Sequence, residues 1–425
     1  MQTSRFLGFL AAFALTPLMA GAADEVEFGF TSLFDGETLN GWTLVNKNGP
    51  GYAVKNGVIA CERGGGGNLF TEKEYSDFIL RVEFKLEPGS NNGIGIRAPL
   101  EGDAAYMGME IQVLDDTAAQ YATLQPWQYH GSVYGVVPAK RGALKPVGEW
   151  NQEEIFCQDR HVKVTLNGKV IVDANLNTVT DPAVLLKHPG MLRDRGHIGF
   201  LGHNDYVEFR KIRIQELTQE KNTEPNHPPE GFTALFNGRD LTGWKGLAGD
   251  PPKRAKWSKE ELASEQEKAD EKMRAHWKAE NGVIVFDGKG ESLCTAKDYG
   301  DFELLVDWKI LEKGDSGIYL RGSPQVQIWD NPIGSGGLYN NKKGPGQPLV
   351  VADRTPGEWN RFRIVMIDER VTVYLNEQLV VQNTPLENYW ERDQPIYLTG
   401  QIELQHHNSE LWFKNVYIRE LPGGN

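Results

Sequence analysis

Phe78-Ile79-Leu80-Arg81-Val82-Glu83-Phe84-Lys85-Leu86 is the stretch that sets the fold class. Its even positions are all apolar and its charges fall at 81, 83 and 85, the period-two pattern of a strand with one face buried. Arg363-Ile364-Val365-Met366-Ile367 is a second short run of this kind, and Val162 to Val172 reads as a hairpin with Asn167-Gly168 at its turn. Val371 to Val381 repeats that hairpin with Asn376-Glu377 in the same place. Many short runs separated by Gly, Asn and Pro, with no alternation of strand and helix, predict an all-β, two-sheet sandwich.

Outward from the opening stretch, the sequence repeats itself. Tyr75-Ser76-Asp77-Phe78 returns as Tyr299-Gly300-Asp301-Phe302, and Gly93-Ile94-Gly95-Ile96-Arg97 as Gly317-Ile318-Tyr319-Leu320-Arg321. Leu33-Phe34-Asp35-Gly36 through Gly41-Trp42 returns as Leu235-Phe236-Asn237-Gly238 through Gly243-Trp244, and Gly148-Glu149-Trp150-Asn151 as Gly357-Glu358-Trp359-Asn360. Both copies close alike, at Phe209 to Leu217 and Phe413 to Leu421. The ordered recurrence predicts two domains of one kind, 27–217 and 232–421, joined by a polar, proline-containing linker at 218–231. The second copy carries an insertion, Trp257 to Trp277, where Ser258-Lys259-Glu260-Glu261 forms a capping box ahead of a charged helix.

A chain of 425 residues suits two domains, and its net charge of -13 disfavours nucleic acid as a partner. Arg5, the apolar run Phe6 to Leu15 and Ala20-Gly21-Ala22 read as a signal peptide over 1–22, cleaved near Ala22, which predicts export to the periplasm or beyond. No later run approaches the roughly 18 apolar residues of a bilayer span, so membrane insertion is not expected. Three cysteines without metal-like spacing indicate neither a disulfide framework nor a zinc cluster.

The stretch richest in chemistry is Met109-Glu110-Ile111-Gln112-Val113-Leu114-Asp115-Asp116. On a regular strand Glu110 and Gln112 share a face and Asp115 takes the other; a β-bulge after Gln112 would unite all three. The second copy has Gln325-Val326-Gln327-Ile328-Trp329-Asp330 in register, which loses the first carboxylate and keeps Gln327 and Asp330. Arg97 and Arg321 end the preceding strand, where a guanidinium suits a carbonyl or sugar hydroxyls, or else a buried ion pair. His203 and His407 align near the ends of the copies, each followed by Asn, as candidate bases or metal ligands. Trp127 and Tyr134, like Trp329 and Tyr339 later, follow the polar strand, where aromatic faces could stack on sugar rings.

The two Leu-Phe-[Asp/Asn]-Gly openings, Glu-Trp-Asn, the Glu/Gln-x-Gln-x-x-Asp strand and the closing Phe-[Arg/Lys]-[Lys/Asn]-[Ile/Val]-x-Ile resemble the 3-keto-disaccharide hydrolase domain family over nearly all of the chain after residue 26. The resemblance implies tandem concanavalin A-like jelly rolls. It also implies cleavage of glycosides oxidised to a ketone at C3, by C2 proton abstraction, elimination and hydration. That chemistry needs a base, an enolate stabiliser and a proton donor. His203 or Glu110 is then the base and Arg97 or a divalent metal ion the stabiliser, with Gln112 and Asp115 holding substrate or metal. Glu110, Asp115 and His203 are the candidate metal ligands, and Trp127, Tyr134, Arg321, Gln327, Asp330 and His407 contact an oxidised glycoside. Two alternatives compete: a retaining glucanase, which needs two carboxyls about 5–5.5 Å apart, and a tandem carbohydrate-binding protein without catalysis.

Overall fold

Phe78, Leu80, Val82, Phe84 and Leu86 are all buried, while Arg81 and Lys85 between them are partly exposed. The strand Phe78–Leu86 pairs antiparallel with Trp150–Gln158 on one side and Val207–Glu216 on the other. The computed structural model describes residues 27–217, 225–323 and 325–423. Residues 1–22, where a signal peptide is expected, and residues 218–224 of the expected linker lie outside the described residues.

Among the described residues each half is a pair of antiparallel sheets. In the first half an eight-stranded sheet faces a five-stranded one. The smaller sheet runs in the order Trp42–Asn48, Gly66–Tyr75, Gly196–His203, Asn91–Ala98, Met109–Leu114. Their inner faces meet in one apolar core, in which Trp42 stacks on Phe200 at 5.5 Å and Phe200 on Phe209 at 3.8 Å. The second half repeats the plan with eight- and six-stranded sheets. This is the all-β, two-sheet arrangement expected from the strand periodicity, in the two copies expected from the repeat and with the jelly-roll plan that the family resemblance implies.

Local signals in the sequence have their expected outcomes. Asn167 and Gly168 turn the hairpin at φ 49° and 79°, and Asn376 and Glu377 do so at 48° and 73°. The inserted helix spans Lys259–His276 with the Ser258–Glu261 capping box formed, and it lays Ala269 and Met273 on the second half. Cys61, Cys157 and Cys294 are free and buried. No helix among the described residues is long and apolar enough to cross a membrane.

The halves share a boundary. Val365, Ile367, Tyr374 and Leu421 of the second half belong to the same apolar cluster as Leu176, Leu185, Met191 and Leu192 of the first.

Candidate active site

Gly93 lies opposite Gln112 and Gly95 opposite Glu110 in the ladder between Asn91–Ala98 and Met109–Leu114. A Cβ on Gly93 would stand 2.0 Å from Glu110 Oε1, so the bare glycine lets the glutamate side chain lie across the sheet. Glu110 is buried there, and Oε1 has no hydrogen-bond partner among the described residues. His203, at the end of Gly196–His203 and half exposed, brings Nε2 to 3.9 Å from that oxygen. That separation is an ion-pair distance, too long for a hydrogen bond. Burial pushes the Glu110 carboxyl above its ordinary range, partly offset by the imidazole; the Glu110 carboxyl in turn raises His203 against the effect of its own burial. The charge of each therefore depends on that of the other.

Above them is a cavity of about 530 Å³. Its floor holds Asn68, Asn91, Glu110, Gln112, Leu201 and His203. One wall is 102–106, ending in Tyr106, where Asp103 caps the short helix Ala104–Met107 by accepting from the Ala105 N–H at 3.0 Å. Tyr121, Leu124, Gln128 and Tyr134 complete the lining, and the Tyr134 ring meets that of Tyr106 edge to face at 6.4 Å. Gln112 Nε2 donates to Asn91 Oδ1 at 2.8 Å, which fixes the glutamine on the floor.

The structure brings Glu110, Gln112, His203 and Tyr134 together around this cavity. Trp127 lies outside the lining and meets the Tyr134 ring edge to face at 5.5 Å. Asp115 does not join. The ladder runs regularly from Ile96↔Met109 to Asn91↔Leu114, so the expected bulge is absent. Asp115 Oδ2 instead accepts from the Gly89 N–H at 2.8 Å, and Oδ1 from the Thr117 N–H at 3.1 Å and hydroxyl at 2.5 Å. Both oxygens tie loops together.

Arg97 takes the buried-ion-pair alternative. Its Nη2 donates to Asp77 Oδ1 at 2.9 Å, Nε to the Ser76 carbonyl at 3.0 Å and Nη1 to the Asp159 carbonyl at 2.6 Å. With no exposed surface and these partners it cannot serve as an enolate stabiliser in the cavity. Arg321 repeats this with Asp301 and the carbonyls of Gly300 and Asp368. The matched Tyr-x-Asp-Phe and Gly-Ile strand motifs of the two copies thus meet as one structural device, not as sugar contacts.

In the second half Asp330 Oδ2 accepts from the Lys313 N–H at 2.7 Å, the same loop tie as Asp115. Gln327 Nε2 donates to Asp315 Oδ1 at 2.7 Å, and His407 Nδ1 stands 3.2 Å from Asp315 Oδ2. Asp315 occupies the ladder position of Asn91, so the carboxylate that faces the histidine has moved one strand over. Gln327 also borders a smaller cleft of about 200 Å³ with Trp329 and Tyr339.

The three candidate metal ligands Glu110, Asp115 and His203 do not gather at one point. Glu110 and His203 converge, Asp115 is occupied elsewhere, and no three His, Cys, Asp or Glu side chains among the described residues gather as a metal site. Sequence reasoning missed Asn68, Asn91, Asp103 and Tyr106. The paired glycines at 93 and 95, both on one strand face, were the available sign of a cavity floor.

The chain matches the 3-keto-alpha-glucoside-1,2-lyase-like domain over residues 29–215 and again over 231–419. A protein named 3-keto-disaccharide hydrolase from Bacteroides thetaiotaomicron is 28% identical over 228 residues, 44% of this chain and 79% of that one. A solved structure of a candidate glycosyl hydrolase from Parabacteroides distasonis is 27% identical, with a TM-score of 0.40, covering 44% of this chain and 99% of that one. The carbohydrate binding module CBM66 from Bacillus subtilis is 13% identical, with a TM-score of 0.29, over 41% of this chain and 96% of its own.

Proposed function

The chain belongs, in both halves, to the 3-keto-alpha-glucoside-1,2-lyase-like domain family, and from that premise we propose that its first half cleaves glycosides carrying a ketone at C3. The observation that carries this is Glu110: a buried carboxylate with a free oxygen, on the floor of a sugar-sized cavity, beside an imidazole.

A C3 ketone acidifies the hydrogen at C2. Glu110 Oε1 takes that proton, and the electron pair of the C2–H bond passes into an enolate. The enolate then expels the C1 substituent, whose oxygen takes a proton from His203. Water next adds hydroxyl to C1 and a proton to C2, so that the sum is hydrolysis. A desolvated carboxylate is a stronger base than an exposed one, and an imidazolium held by Glu110 is a suitable acid, which assigns the two roles. Gln112, Asn91 and Asn68 present amides to sugar hydroxyls, while Tyr106 and Tyr134 supply ring faces.

Retaining hydrolysis fits less well, because Gln112 stands where the polar strand would carry its second acid. The test is to incubate the protein with a disaccharide and with its 3-keto form. Turnover of the keto sugar alone is the expected result; cleavage of both, or binding of either without product, contradicts the proposal. The export reading of residues 1–22 supports an activity outside the cytoplasm, checked by fractionating cells that express the full chain.

A further inference from the structure

We infer that the second half positions the wall of the first half's cavity, by clamping the turn at 188–192 on which the Tyr106 helix rests. This rests on the proposed sugar site but concerns its shape, not its chemistry.

The helix Ala104–Met107 is too short to hold itself, and its support comes from below. Gly190 is pressed against it so closely that a Cβ would stand 2.2 Å from the Met107 carbonyl carbon. The His188 ring packs on Tyr106 at 4.8 Å, and a Cβ on Gly135, beside Tyr134, would meet His188 Nε2 at 2.2 Å. The turn thus sets both aromatic walls at once.

The second half secures that turn. Tyr374 Oη donates to the Pro189 carbonyl at 2.8 Å, in a buried contact 185 residues apart in sequence. Arg363 Nη1 donates to the Leu192 carbonyl at 3.2 Å. Between them the Met191 carbonyl is taken by Arg160 of the first half. Gln382 Nε2 reaches the wall helix directly, 3.3 Å from Met107 Sδ. Val365, Ile367 and Tyr374 belong to the same apolar cluster as Met191 and Leu192. Backbone carbonyls in a buried turn must be satisfied; of the five at 188–192, those of His188 and Gly190 accept from the Met191 and Arg193 N–H groups, that of Met191 from Arg160, and those of Pro189 and Leu192 from the other half.

Tyr374 and Gln382 are accordingly positioning residues. The experiment uses the full chain with Tyr374→Phe and Gln382→Ala, singly and together, read by hydrogen exchange of backbone amides and by kinetics on a 3-keto-disaccharide. Exchange at 104–108 and 188–192 is expected to quicken by about fivefold per lost hydrogen bond while Phe78–Leu86 is unchanged. KM should rise several-fold with kcat within about twofold, because the wall binds the sugar and the base is untouched. Arg363→Lys, which retains a donor, should rescue most of an Arg363→Ala effect. Unchanged exchange at 104–108 in the double variant, or equal quickening throughout the first half, overturns the inference. Exchange is read without substrate, so this outcome is separable from a failure of the proposed reaction.

Discussion

Twelve residues, 98–109, separate Arg97 from Glu110 in the first half; three, 322–324, separate Arg321 from Gln325 in the second. Past the polar strand, Leu114 donates its N–H to His130 across 115–129, whereas Trp329 donates to Ser335 only six residues on. Most of the wall of the 530 Å³ cavity comes from these longer connections, whereas Gln327 of the second half borders a smaller cleft of about 200 Å³. Loops vary while the sheets that carry them persist, and the chemistry follows the loops. The floors also differ in where the carboxylate sits, on Glu110 in the first and on Asp315, at the position of Asn91, in the second. Glu110 has a free oxygen; Asp315, its displaced counterpart, has one oxygen on Gln327 and the other facing His407.

The largest effect separates the two carboxylates. Glu110→Gln should lower kcat on a 3-keto-disaccharide by about 10³-fold, the scale of a lost general base, whereas Asp315→Asn should leave it within about twofold. Equal losses would make the halves equivalent sites. Next come the features the halves share. Asp77→Ala and Asp301→Ala each leave a buried guanidinium, Arg97 or Arg321, without its carboxylate and should each cost about 3–5 kcal/mol in denaturant unfolding. A much smaller loss at one of them would break the symmetry claimed for that device.

A third difference is electrostatic. Behind the first floor, His130 Nε2 stands 3.9 Å from Glu153 Oε1, both buried, where the second half has Ser335 and Phe362. Burial alone lifts Glu153 to about 8 and holds His130 to about 3. The folded Glu153 keeps a proton that the unfolded chain releases near 4.5, so its share of stability is complete below that pH and is lost as pH rises through 8. His130 has the opposite slope, losing stability as pH falls from 6.5 towards 3. Glu153→Gln should therefore stabilise the protein at pH 9 by on the order of 2–4 kcal/mol and change little at pH 5, as measured by Tm against pH. The smallest effect concerns the hairpin turns. Glu377 holds the left-handed conformation that Gly168 holds in the first half, and Glu377→Gly should raise stability by about 1 kcal/mol in denaturant titration.

What the sequence made legible follows from periodicity and repetition. A period of two put Glu110 and Gln112 on one face, and the repeat singled out His203, because both signals survive in a single chain. Asp115 was drawn into the site by assuming a bulge that the ladder does not contain. Arg97 was ambiguous, since an arginine at a strand's end reads the same whether it meets a sugar or a buried aspartate. The Tyr106 helix spans four residues, too few to show a helical period, and its support by Tyr374 joins positions that no local pattern connects.

The most direct measurement is the fate of the C2 hydrogen. Cleavage of a 3-keto-disaccharide in D₂O, followed by proton NMR against a protein-free control, should give product deuterated at C2, formed at a rate that Glu110→Gln abolishes. Product that keeps its original C2 hydrogen would mean direct displacement at C1 and would contradict proton abstraction by Glu110.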